Sequence, residues 1–73
     1  SRRLDLAAWL GPWLLMPDQR QRRLVLLDGR TGWRQAHVWS LPSRLVATAS
    51  LVDAQAVLIL HEDGRVMVAR PPG

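Results

Sequence analysis

From Ala56 to Ala69 the chain carries two short apolar stretches, Ala56-Val57-Leu58-Ile59-Leu60-His61 and Val66-Met67-Val68-Ala69, around Glu62-Asp63-Gly64-Arg65. Asp-Gly between β-rich runs signals a tight hairpin, because the two-residue primed turn needs positive φ and glycine adopts it at little cost. Pairing outward from that turn sets Glu62 opposite Arg65, Leu60 opposite Met67 and Leu58 opposite Ala69 on one face. His61, Ile59 and Val57 then lie opposite Val66, Val68 and Arg70 on the other. Both faces are largely apolar, whereas a hairpin with one wet face alternates apolar and polar positions. The pattern predicts a hairpin inside a sheet covered on both sides, with Ile59 and Leu60 both shielded from water.

The same pattern organises the rest of the chain. Ser1 to Leu10 suits a short helix capped by Ser1 and stopped at Gly11-Pro12, or an irregular lead-in, and also permits an extended strand. Trp13 to Met16 reads as a buried strand ended by Pro17, and Asp18 to Arg23 as a polar loop. Leu24 to Leu27 is a second buried strand, followed by Asp28 to Gly32, a segment rich in turn formers. In the next strand, Trp33, Gln35, His37 and Trp39 share one face and Arg34, Ala36 and Val38 the other. Polar residues on both sides place it at a sheet edge. Leu45 to Val52 forms a longer strand after the connector Leu41-Pro42-Ser43-Arg44; the small residues in its middle suit a crowded place where backbones come close.

Composition narrows the class. Seventy-three residues make one small domain or a piece of a larger one. The 48% apolar content is that of a globular chain, and the absence of cysteine rules out disulfides and thiolate metal sites. A domain this small with no staple is marginal by itself, so the sheets are expected to be covered by something further. The net charge is +4 and all ten basic residues are arginine, in a sequence without lysine, asparagine, phenylalanine or tyrosine. No apolar stretch approaches a membrane span and none reads as a signal peptide, which favours an intracellular, non-membrane protein.

A weak internal repeat is present. Trp13 to Leu27 and Val57 to Ala69 both run apolar strand, acidic turn, basic residue, apolar strand, and Asp18 and Asp63 are 45 residues apart. A period near 40–45 is that of four-stranded propeller blades, in which each sheet stacks against two neighbours and so is apolar on both faces. The run Leu24-Val25-Leu26-Leu27-Asp28-Gly29-Arg30-Thr31-Gly32, then Trp39, then Glu62-Asp63-Gly64-Arg65-Val66 resembles the blades of quinoprotein-type and WD40-like β-propellers. The resemblance spans about Trp13 to Arg70. It implies architecture alone: with no Trp-Asp dipeptide and no Gly-His pair, it brings neither a quinone nor a metal site.

Candidate chemistry is sparse. His37 and His61 are the two histidines, with only Glu62 and Asp63 near His61, too few converging groups for a metal. No serine or threonine has an adjacent base, and no glycine-rich loop precedes a helix. The chain is therefore read as non-catalytic, with no cofactor and no small-molecule substrate. Arg20, Arg22 and Arg23 crowd one loop and Arg30 lies in the next turn, a set suited to an acidic protein partner or to nucleic-acid phosphates. Trp33 and Trp39, with Trp9 and Trp13, are candidate interface anchors or core residues.

These readings converge on an all-β chain of about six short antiparallel strands, parts of two consecutive propeller-like blades. Residues 1–12 are the lead-in, 13–44 a partial blade and 45–73 the start of the next. The expected role is a scaffold or protein-interaction segment of a multiprotein complex, partnered by protein chains that complete or cover the sheet. Two alternatives stand beside it: a small basic β-barrel or sandwich binding nucleic acid, and a periplasmic secretion-system β-domain.

Overall fold

Seven strands follow one another with short connections in the computed structural model, which describes residues 6–72. They are β1 (Ala8–Leu10), β2 (Trp13–Asp18), β3 (Arg23–Asp28), β4 (Arg34–Ser40), β5 (Leu45–Leu51), β6 (Ala56–His61) and β7 (Val66–Ala69). All neighbours pair antiparallel, in two separate sheets of order β1-β2-β3-β4 and β5-β6-β7. The protein is all-β, as its sequence pattern predicts, and neither described sheet closes into a barrel.

Alternation decides which side of each strand is buried. Trp13 and Leu15 of β2 and Leu24 and Leu26 of β3 point inward, opposite Val57 and Ile59 of β6 and Ala69 of β7, with Leu10, Leu41 and Leu45 filling in. The core is thus shared between the two sheets. β1 lies against β5 and β6, and the hydroxyls of Thr48 and Ser50 donate to the carbonyls of Leu6 and Trp9. The middle of β5 is nevertheless not the crowded place expected, since Ala47, Ala49 and Ser50 are exposed. Gln19 ties the other end, its side-chain amide donating to the Leu45 carbonyl at 2.8 Å while its oxygen accepts from the Leu45 N–H.

Several expectations need correction. The stretch read as a helix or lead-in contains β1; residues 1–5 of that stretch lie outside the described residues. Pro17 does not end β2, which continues to Asp18. β1 reaches only as far as Leu15, so Pro17 sits where β2 has no partner on that side and a missing N–H costs little.

The β6–β7 hairpin is shifted by one residue from the expected pairing: Leu60 faces Val66, Ile59 faces Met67 and Val57 faces Ala69. Its loop holds three residues, not two. The Gly64 N–H donates to the His61 carbonyl, Gly64 takes φ +89°, and the His61 N–H donates to Arg65 O. This is a type I turn followed by a left-handed glycine, a common three-residue hairpin. The slip exchanges the faces on β7. Val57, Ile59, His61, Met67 and Ala69 therefore face inward, and Leu58, Leu60, Val66 and Val68 face outward.

Bulges break two predicted face assignments. Between Leu26 and Leu27 the β3–β4 register skips Ala36, so His37 and Trp39 share a face with Leu26 and Leu24 while Gln35 joins Leu27 on the other. Trp33 leaves the strand altogether at φ 65°. In β5 the extra residue is Val46, which lets Leu45 point inward while Ala47, Ala49 and Leu51 point out.

Candidate interaction surface

The turn after β3 is built by one carboxylate. Asp28, mostly buried, accepts from the Arg30 backbone N–H at 2.9 Å and from the Arg30 guanidinium through both oxygens, at 3.0 and 3.2 Å. The Thr31 hydroxyl and the Trp33 N–H donate to the Asp28 carbonyl. The Arg30 side chain, and secondarily its N–H, hold the Asp28 carboxyl below the ordinary carboxylate range, and Asp28 in turn raises Arg30. The guanidinium also lies over the Trp13 ring, 4.7 Å from its centroid. Arg30 is therefore held by Asp28 and Trp13.

The sequence-predicted site residues do not converge. Arg20 and Arg22 are exposed on the β2–β3 turn, where Arg22 takes φ 54°. Arg23 begins β3, half-buried, with one guanidinium nitrogen 3.5 Å from Asp18. Arg30 and Trp33 sit past the opposite end of β3, about 17 Å away at a strand rise of about 3.3 Å per residue. Trp39 is partly buried against the core and meets His37 edge to face at 4.5 Å. Only Trp33 is both exposed and joined to another aromatic, packing edge-on against Trp9 with centroids 5.6 Å apart.

A cavity of about 330 Å³ beside Trp13 and Arg30 also takes Arg70 and Pro71 into its wall. Both arginines there are already engaged, Arg30 with Asp28 and Arg70 with the Ala54 carbonyl. His61 is fully buried; its Nδ1 lies 3.1 Å from the Arg65 carbonyl and its Nε2 has no partner. Among the described residues no three His, Cys, Asp or Glu side chains come together as metal ligands. No described helix is long and apolar enough to cross a membrane.

The outward face of β5–β7 is the largest departure from expectation. Register aligns Ala47, Leu60 and Val66 in one row and Ala49, Leu58 and Val68 in the next. Leu60 is 41% exposed, Val66 59% and Val68 52%, so the hairpin is covered on one side only, against the two-sided cover predicted. The two alanines leave a shallow apolar groove of about 280 Å³ bounded by Leu58, Leu60 and Val66. The outward face of β1–β4 is apolar in its middle, with rows Trp9-Leu14-Leu27-Gln35 and Met16-Val25-Val38, and carries the polar row Asp18-Arg23-Ser40 at one end. There Leu14, Met16, Val25, Leu27 and Val38 are half-buried, while Trp9 and Trp33 stand out at 59% and 47% exposure.

Sequence reasoning took the outward residues of β6 and β7 as core. The signal was present, since Leu58, Leu60, Val66 and Val68 recur at alternate positions along the two strands. Comparison with known proteins gives no lead: no family model, curated protein or solved structure matches this chain.

Proposed function

We propose that this chain is a non-catalytic, propeller-type scaffold segment that acts by protein–protein contact within a multiprotein assembly. The observation that carries the reading is the outward face of β5–β7, apolar in both its rows and open to water. Contiguous exposed apolar surface of this kind marks a binding face. Two further features support it. The inward faces of the two sheets share one core, and β2–β3 and β6–β7 are each the second and third strands of an antiparallel meander. The exposed Arg20 and Arg22 then speed encounter with an acidic surface and add little affinity each, because water and salt screen them.

A double variant, Leu60→Lys with Val68→Lys, tests the reading when melted at concentrations where the wild type sediments as a monomer. Outward positions tolerate such changes within about 0.5 kcal/mol. The expected result is an unchanged melting temperature and loss of the chain's protein contacts. Melting like a core lesion, by several kcal/mol, would assign these residues to an internal core and defeat the scaffold reading. Retention of the wild type on DNA or RNA at low ionic strength, lost on replacing Arg20 and Arg22, would support the nucleic-acid reading instead.

A further inference from the structure

We infer that the recess walled by Trp13, Arg30, Gln55, Arg70, Pro71 and Pro72 is a binding site for a carboxylate carried on a flat apolar group. Both sheets contribute to it. Trp13 opens β2 and Arg30 lies in the turn after β3, while Ala54 and Gln55 belong to the β5–β6 turn and Arg70 to Pro72 follow β7. The site uses none of the outward face of β5–β7. It therefore goes beyond the scaffold reading and does not depend on it.

Both guanidiniums are anchored within the chain yet keep donors for a ligand. A guanidinium carries five N–H groups. Among the described residues, Arg30 gives Nε–H and one Nη2–H to Asp28, and Arg70 gives one Nη1–H to the Ala54 carbonyl at 3.0 Å. These bonds, with the Trp13 ring against Arg30, position the remaining donors before any ligand arrives. Pro71 and Pro72 stiffen the facing wall, because their rings fix φ.

Charge and size define the ligand. Two guanidiniums beside the single Asp28 carboxylate leave one positive charge, and the wall itself holds no acid. A monoanion matches that charge, whereas a phosphate dianion keeps one charge unmet. The planar fork of arginine also fits a carboxylate through two parallel bonds. Trp13, Ala54 and the prolines offer apolar contact beside it, and about 330 Å³ is small for a ligand site. That space suits a small aromatic acid or the last residue of a peptide ending in an aromatic side chain. Arg70 is exposed, so binding is weak and falls with salt.

The test titrates phenylacetate into isotope-labelled protein and follows amide and indole N–H signals by NMR. Phenylacetamide is the neutral control, and N-acetyl-glycyl-phenylalanine supplies the same chemistry from a peptide C-terminus. The expected result is saturable shifts at the Trp13 indole and at the Gln55 and Arg70 amides, weakened by salt and missing with phenylacetamide. Arg70→Gln should weaken phenylacetate by about fivefold, the loss of one hydrogen bond. Since both sheets build the site, saturating phenylacetate should also raise the melting temperature of the wild type. Tighter binding of the peptide acid than of phenylacetate assigns the source to a chain end, and the reverse assigns it to a free acid. Equal binding of phenylacetamide, or tighter binding of inorganic phosphate, would overturn the carboxylate. Shifts that never saturate, or that centre on Arg20 and Arg22, would overturn the site. Either failure leaves the scaffold reading to be judged by the Leu60→Lys, Val68→Lys variant.

Discussion

The β2–β3 and β6–β7 hairpins are each the second and third strands of their sheets, but only the first is flanked on both sides, and the two shed water differently. Each buries its inward face almost completely: Leu15, Leu24 and Leu26 in one, Val57, Ile59 and Ala69 in the other. Outward, Leu14, Met16, Val25 and Leu27 are half-buried without any covering sheet, while Leu60, Val66 and Val68 are exposed. Neighbouring strands account for the difference. β2 and β3 lie between β1 and β4, and long side chains in adjacent rows shade one another. β7 is an edge, and β6 is flanked on its other side by Ala47 and Ala49, which shade nothing. Lateral neighbours thus supply partial cover on the first sheet, while the edge position of β7 and the alanines of β5 leave Leu60, Val66 and Val68 with less.

The sharpest way to break this comparison is to shorten one inward and one outward side chain of the same strand. Ile59→Ala removes a fully buried side chain from the shared core and is expected to cost about 2–5 kcal/mol, read by chemical or thermal unfolding. Leu60→Ala, one residue away, should stay within about 0.5 kcal/mol. Equal losses would mean that the outward face is packed in solution.

The two turns offer a second contrast. A Cβ on Gly29 would lie 2.8 Å from the Trp33 ring and 2.9 Å from the Pro12 carbonyl oxygen, and the backbone atom cannot swing aside. Gly29→Ala is expected to cost about 1–3 kcal/mol through overpacking and to loosen the Trp9–Trp33 pair, visible as altered tryptophan fluorescence. A Cβ on Gly64 meets nothing, but its φ of +89° strains any other residue, so Gly64→Ala should cost about 1 kcal/mol with fluorescence unchanged.

That contrast shows what could be read from the residues and what could not. All-β class, the edge position of β4 and the turn at Asp28 follow from local chemistry, and the sequence carries it. Register does not. Asp63-Gly64 equally suits a two-residue and a three-residue loop, and the choice between them sends Leu60 and Val66 to opposite faces or to the same one. Bulges at Ala36 and Val46 are set by how β4 and β5 meet their partners, so no property of the two residues announces them. The helix-or-strand ambiguity before Gly11 is settled by pairing with β2, a contact in the folded chain. The open face escapes the sequence for another reason: apolar residues on both faces of β6 and β7 read as cover on both sides, whichever register pairs them.

Acid sharpens the comparison at the turns. The Arg30 side-chain bond lowers the pKa of Asp28, and the Arg65 backbone N–H, with help from the Ser43 hydroxyl, lowers that of Asp63. A carboxyl whose folded pKa is lowered adds stability that is complete above its unfolded value near 3.8 and is lost as pH falls through the folded one. The midpoint of urea unfolding should therefore be insensitive to these two groups near neutrality and fall below about pH 4. Asp28→Asn should flatten that fall while lowering stability at pH 7; an unchanged acid limb would detach Asp28 from it.

The smallest effect is expected at the β2–β3 turn, and it separates folding from binding. Arg20 and Arg22 lie exposed on that turn, and no ion pair within the described residues includes them. Arg23 differs, for its guanidinium reaches Asp18 across the strand ends. Replacing Arg20 and Arg22 with Ser should leave the unfolding midpoint within about 0.5 kcal/mol of wild type, because exposed charges without partners contribute little to the folded state. Adding Arg23→Ser should cost slightly more, since that pair is half-screened by the protein. The same double variant should slow association with an acidic partner at low salt and change it little at high salt; an unchanged association at low salt would detach this turn from binding.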